Sequence, residues 1–140
     1  MSNTIKAEGK CLCGAVKFTA EEAAKSVGVC HCDMCRRWGG GPFMATGCGS
    51  KVDFEGADNI EVFDSSDWAE RGFCRKCGTH LFYRIKRNGA HMMTAGLFGG
   101  SVPFELTHEV FVDEKPGFYD FSGNTEKMTG KECFEKFKAE

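Results

Sequence analysis

No apolar run in these 140 residues approaches the ~18 that a membrane-spanning helix needs, and residues 1–10 lack the apolar stretch of a signal peptide. A soluble, cytoplasmic protein without a membrane partner is the expectation. Charge of one sign is missing too. Eighteen basic against 20 acidic residues leave −2 with histidines neutral, which removes the positive field that holds a polyanion and argues against a nucleic-acid partner. Proline is scarce, at three, but 41% hydrophobic and 27% charged residues exclude a disordered or collagen-like chain. No linker, low-complexity tract or solenoid-period repeat divides the sequence, so a single domain over 1–140 is expected.

What the chain has in excess is glycine, 18, and cysteine, nine. Abundant glycine favours turns and close backbone approaches over long helices. Short alternating or apolar segments bounded by Gly, Asn, Asp or Pro predict strands at 16–19, 27–29, 43–46, 51–54, 60–63, 79–85, 91–95 and 109–112. One good helix is predicted, over 130–139. Thr129 and Glu132 form a capping-box pattern, and Cys133, Phe134 and Phe137 supply an apolar stripe. Residues 21–25 are too short to establish a further helical turn. The predicted class is mainly β, with a short C-terminal helix.

An odd number of cysteines without an export signal points to metal ligation or thiol chemistry rather than to disulfides. Seven fall in three clusters: Cys11 and Cys13, then Cys30, Cys32 and Cys35, then Cys74 and Cys77. A thiolate pair one or two residues apart can hold one tetrahedral ion from a tight turn, and Gly14 and Gly78, each just after its pair, suit such a turn. Cys13 and Cys74 stand 61 positions apart. Loop-closure entropy grows only logarithmically with such a separation. Cys11, Cys13, Cys74 and Cys77 then complete a closed, structural zinc site that adds to the folding free energy.

The remaining triplet, Cys30, Cys32 and Cys35, has the three ligands and one free position of a catalytic zinc. Three thiolates on a divalent ion leave a net charge of about −1, a poor activator of water. A soft site of this kind prefers an incoming sulfur, and holding a substrate thiol as thiolate lowers its pKa from ~8.5 while leaving it nucleophilic. The competing reading is a non-catalytic zinc module in which both ions are structural and His31, His80, Cys48 or water closes the second site. Cys48 and Cys133 otherwise read as buried small apolar residues.

Around the triplet, Arg36 and Arg37 could grip a substrate carboxylate or form a solvated basic turn. Trp38 and Phe43 could wall a pocket or simply pack together. Gly39, Gly40 and Gly41 read as a flexible loop. His31 reads as a group behind the ligands or on the surface rather than as a ligand, and Glu61, Asp64, Asp67 and Glu70 read as a solvated acidic face.

The segments GKCLCGAVKF (9–18), CHCDMCRRWGG (30–40) and GFCRKCGTHLFY (72–83), followed by EKPGFYDF (114–121), resemble the glutathione-dependent formaldehyde-activating enzyme family, which also includes centromere protein V domains. The resemblance covers nearly the whole chain. It implies a β-tent of several coiled antiparallel sheets stapled by two zinc ions, one structural on Cys11, Cys13, Cys74 and Cys77 and one catalytic on Cys30, Cys32 and Cys35. It also implies glutathione, or a related thiol, and an aldehyde as small-molecule partners, joined as an S-hydroxymethyl adduct by a carbon–sulfur lyase running in reverse.

Overall fold

The computed structural model describes residues 3–138, with side chains through residue 136. Among these residues are eleven strands, two α-helices and three short 3-10 turns, and no helix is long and apolar enough to cross a membrane. The mainly β class and the short C-terminal helix are as predicted. The chain forms two compact units, residues 1–26 with 45–104, and residues 27–44 with 105–140.

In the first unit, β1 (Thr4–Lys10) and β2 (Lys17–Ala24) pair antiparallel, and β5 (Val52–Glu55) pairs antiparallel with the other side of β2. Residues 21–24 therefore continue a strand rather than starting a helix. β4 (Phe43–Gly49), β9 (His91–Thr94), β8 (His80–Ile85), β7 (Ala69–Cys74) and β6 (Ile60–Phe63) follow one another antiparallel in that spatial order. The core is aromatic. Phe18 meets Phe98 edge-on at 5.2 Å, Phe54 lies 5.6 Å from Phe82, and Phe82 meets the His91 ring at 5.1 Å. Burying each phenyl ring contributes about 1.5–3 kcal/mol.

Two of these strands have no strand signal in the sequence. β1 buries only Ala7 fully, and β7 reads AERGFC, with two charges and a glycine. The β7 charges are satisfied across the ladder: Glu70 pairs with Arg84 at 2.9 Å, and the buried Arg71 lies 5.2 Å from the Tyr83 ring centre. Glu70 is thus half-buried and leaves the acidic face predicted for it, whereas Glu61, Asp64 and Asp67 are exposed. Cys48 is fully buried, as expected.

The second unit contains β3 (Ser26–Cys30), helix α1 (Asp33–Gly39), β10 (Glu105–Val110), β11 (Glu126–Met128) and helix α2 (Gly130–Lys138). β10 lies beside β3 and pairs with β11 in parallel, an exception to the antiparallel pattern of the predicted sheets. β10 also starts earlier than predicted and stops at Val110, because Phe111 takes a left-handed φ of 57°. The α2 capping box forms as read: Glu132 N–H donates to Thr129 Oγ1 at 3.1 Å, and Thr129 N–H to Glu132 Oε1 at 3.0 Å. Cys133 is buried on this helix and Phe134 meets Phe111 edge-on, while the Phe137 side chain and Ala139 lie outside the described residues.

The two CXC/CXXC turns of the first unit depend on glycine. Gly14 and Gly78 have φ of 80° and 77°, and each N–H closes its turn onto the carbonyl of Cys11 or Cys74. A methyl at Gly78 would meet open space, so Gly78→Ala should cost only the left-handed strain, about 1–2 kcal/mol, read as a lowered thermal midpoint with zinc binding retained.

His91 is buried with Nδ1–H donating to Gly49 O at 3.2 Å, and burial holds its pKa below the ordinary 6.5. The unfolded chain then takes up a proton at a pH where the folded chain does not. Its contribution is present above pH ~6.5 and is lost as pH falls through the folded value. His91→Asn, which keeps a donor at the Nδ1 position but cannot be protonated, should show a flatter fall in denaturation midpoint than wild type between pH 7 and 5.5.

Candidate metal centres

Cys11, Cys13, Cys74 and Cys77 come together in the first unit, their sulfurs all within 4.8 Å of one another. Sulfurs ~2.3 Å from a tetrahedral zinc stand about 3.8 Å apart. Cys11 and Cys13 are separated by 3.7 Å, and Cys13 and Cys74 by 3.8 Å, so this donor set fits the ion. β7 ends at Cys74 and β1 ends just before Cys11, so the two strand ends deliver the two turns. The turns are tied to each other by Thr79. Its Oγ1 accepts the Leu12 N–H at 3.1 Å, and its hydroxyl lies 3.1 Å from Cys77 Sγ.

Further donors complement negative sulfur. Val16 N–H points to Cys11 Sγ at 3.3 Å. The Thr79 hydroxyl and amide, with the Cys13 amide, lower the Cys77 thiol to about 5. Although the Ala15 amide pulls Cys13 down, burial and the crowding sulfurs of Cys77, Cys11 and Cys74 outweigh it and hold that thiol at about 11. Burial pushes the Cys11 thiol up, but hydrogen bonds from the Val16 amide and with the Cys13 and Cys74 sulfurs outweigh it and lower that thiol as well. Ionising all four thiols together calls for a cation among them.

Cys30, Cys32 and Cys35 form the second cluster, in the other unit, again within 4.8 Å of one another. Cys30 ends β3, and Cys32 and Cys35 stand at the start of α1. That helix carries no Ser, Thr or Asn at its head, and its cap is Cys32, whose Sγ accepts the Cys35 N–H at 3.3 Å. Of the glycines read as a flexible loop, Gly39 is the last residue of this helix and Gly40 caps it, its N–H bonding Arg36 O at 2.7 Å. The neighbouring sulfurs of Cys32 and Cys35, together with burial, hold the Cys30 thiol far above its ordinary value. The three sulfurs therefore suit a cation, and among the described residues no fourth Cys, His, Asp or Glu joins their group.

The nearby candidates separate into distinct roles. His31 is fully buried and both ring nitrogens are occupied, Nδ1 with Tyr119 OH and Nε2 with Glu109 Oε1, each at 2.8 Å. It is therefore turned to those partners and not to the sulfurs. Cys48 and His80 lie in the first unit. Arg36 Nε donates to His31 O at 2.9 Å, with an outer nitrogen 3.9 Å from Asp33. Arg37 is 80% exposed and bonds Asp33 at 2.8 Å. Trp38 and Phe43 meet each other edge-on at 5.8 Å.

Sequence reading did not single out Glu109, Tyr119, Thr125 or Thr79. Only the Thr79 position, one residue past the CXXCG turn, carried a local signal. The others reach the cluster from 78 to 94 positions beyond His31, through strand pairing that no local pattern encodes.

The chain is 36% identical over 123 residues to an uncharacterized lyase of Schizosaccharomyces pombe, covering 87% of this chain and 90% of that one. It is 32% identical over 81 residues to a protein of Aspergillus flavus named for glutathione-dependent formaldehyde activation. That match covers 54% of this chain and spans only 42% of the fungal protein. A crystal structure of a Rhodobacter sphaeroides protein superposes with a TM-score of 0.57 at 26% identity, over 69% of this chain and 91% of that one. The sequence profile of the glutathione-dependent formaldehyde-activating enzymes matches residues 6–114, a span that takes in all seven clustered cysteines, and the chain belongs to that family.

Proposed function

We propose that the protein is a zinc-dependent carbon–sulfur lyase or synthase that forms or breaks the S-hydroxymethyl adduct of glutathione or a related thiol. Its family and its lyase-named relative support the reaction class, and the observation that carries the mechanism is the three-sulfur cluster, one donor short of a tetrahedral set. Zinc on Cys30, Cys32 and Cys35 would supply a soft, open position at which a substrate thiol is held as thiolate.

The chain's own residues hold and orient. Adding sulfur to an aldehyde carbon needs no oxidant or reductant, so positioning of the two reactants is their main contribution. Arg36 spends Nε on the His31 carbonyl and stands 3.9 Å from Asp33 with one outer nitrogen, and its remaining donors are the ones offered to a substrate carboxylate. Arg37, exposed and paired with Asp33, is the weaker candidate for that grip. The Trp38–Phe43 pair provides an apolar wall beside α1. Cys11, Cys13, Cys74 and Cys77 take a second, structural zinc in this reading, and both thiolate sets require a reducing compartment.

Metal content and X-ray absorption test the proposal. Wild type should carry two zinc ions, and adding glutathione should convert one of them from three sulfurs plus oxygen to four sulfurs. A second ion already closed by four protein ligands without added thiol would replace the enzyme reading with a purely structural zinc module. Cys32→Ala should lose one zinc and turnover while remaining folded by circular dichroism. Cys11→Ala should lose the other and unfold at temperatures where wild type is intact, because a closed zinc site is part of the folding free energy.

A further inference from the structure

His31 sits between two of the proposed ligands with every polar group engaged. Its N–H donates to Val110 O at 3.1 Å and its carbonyl accepts Arg36 Nε–H at 2.9 Å. Glu109 is 2% exposed, and a carboxylate only accepts, so His31 Nε2 carries the hydrogen of the 2.8 Å contact. Nδ1 shares the other 2.8 Å hydrogen bond with the Tyr119 hydroxyl. The other Glu109 oxygen accepts from Thr125 Oγ1, with Lys127 Nζ at 3.8 Å. The Tyr119 ring stacks on the imidazole at 5.5 Å with 23° between planes, and Lys115 Nζ lies 5.2 Å from the Tyr119 ring centre.

A buried carboxylate and imidazole are expensive to desolvate, and an apolar pair of similar volume would fill the same space without that cost. Packing alone does not account for them. A ring held at both nitrogens cannot rotate, and its backbone is fixed on both sides, so the residues flanking it inherit a fixed direction. Those residues are Cys30 and Cys32. We propose that Glu109 and Tyr119 are positioning residues which, acting through His31, set the aim of the Cys30 and Cys32 sulfurs and thereby the affinity of the second zinc site. The inference rests on the zinc reading given above and assigns these residues no contact with substrate.

The test is chelator competition on the full-length, two-zinc protein, with the Cys11, Cys13, Cys74 and Cys77 ion as internal reference. Glu109→Gln cannot accept from both His31 and Thr125, and Tyr119→Phe removes the hydrogen-bond partner of Nδ1. Each should weaken one zinc by about 10–100-fold, leave the other at wild-type affinity, and shift the cobalt ligand-field spectrum of the weakened site alone. Thr125→Val, a smaller change, should do the same to a lesser degree and provides the answer if either of the others fails to fold. Two zinc ions held at wild-type affinity in all folded variants, or both weakened alike, would overturn the positioning role while leaving the zinc reading intact. A wild type that takes up a single zinc would overturn the zinc reading, and this inference with it.

Discussion

Like charge in close quarters governs this molecule. Seven sulfurs stand in two groups, each with members within 4.8 Å of one another, and an ionised thiol in either group raises the cost of ionising its neighbours. A divalent cation would remove that conflict and convert the crowding into coordination. The surrounding backbone is arranged for the ionised form: amide hydrogens of Val16 and Cys35 point to Cys11 and Cys32, and the Thr79 hydroxyl lies against Cys77. A core of ordinary thiols would have no use for such donors.

The two clusters are built differently, and the difference suits different tasks. The four-sulfur group gathers two glycine-closed turns at the ends of β1 and β7, so its closure staples strands far apart in sequence. The three-sulfur group spans six residues at a strand-to-helix junction and is complete within that short stretch. Its demands are met instead by the buried side chains around His31, which come from β10 and the segment after it. The first group needs the sheet in order to form; the second needs a scaffold that aims it.

Much of this was legible in the residue order. Spacing gathered seven cysteines into three clusters, with glycines suited to tight turns after two of them, and marked the capping box of α2; that the clusters sort four to three without mixing is visible only once the strands bring two of them together. Helix α1 was missed because its cap is a cysteine and it runs only seven residues, too short for a periodic stripe. β7 was missed because its Glu70 and Arg71 look like surface charges until β8 brings Arg84 and Tyr83 opposite them. In both cases the deciding partner is absent from any short window of sequence.

Side-chain chemistry and local spacing are properties of the chain itself, and so the grouping of seven cysteines into short clusters and the mainly β character were legible in the sequence. Which charges are buried, which histidine faces a carboxylate instead of the sulfurs, and which arginine is spent on the backbone were decided only by tertiary structure. The reason is geometric: hydrogen bonds and ion pairs require partners within a few ångströms, and His31, Glu109, Tyr119 and Thr125 become neighbours only after the strands that carry or flank them have paired.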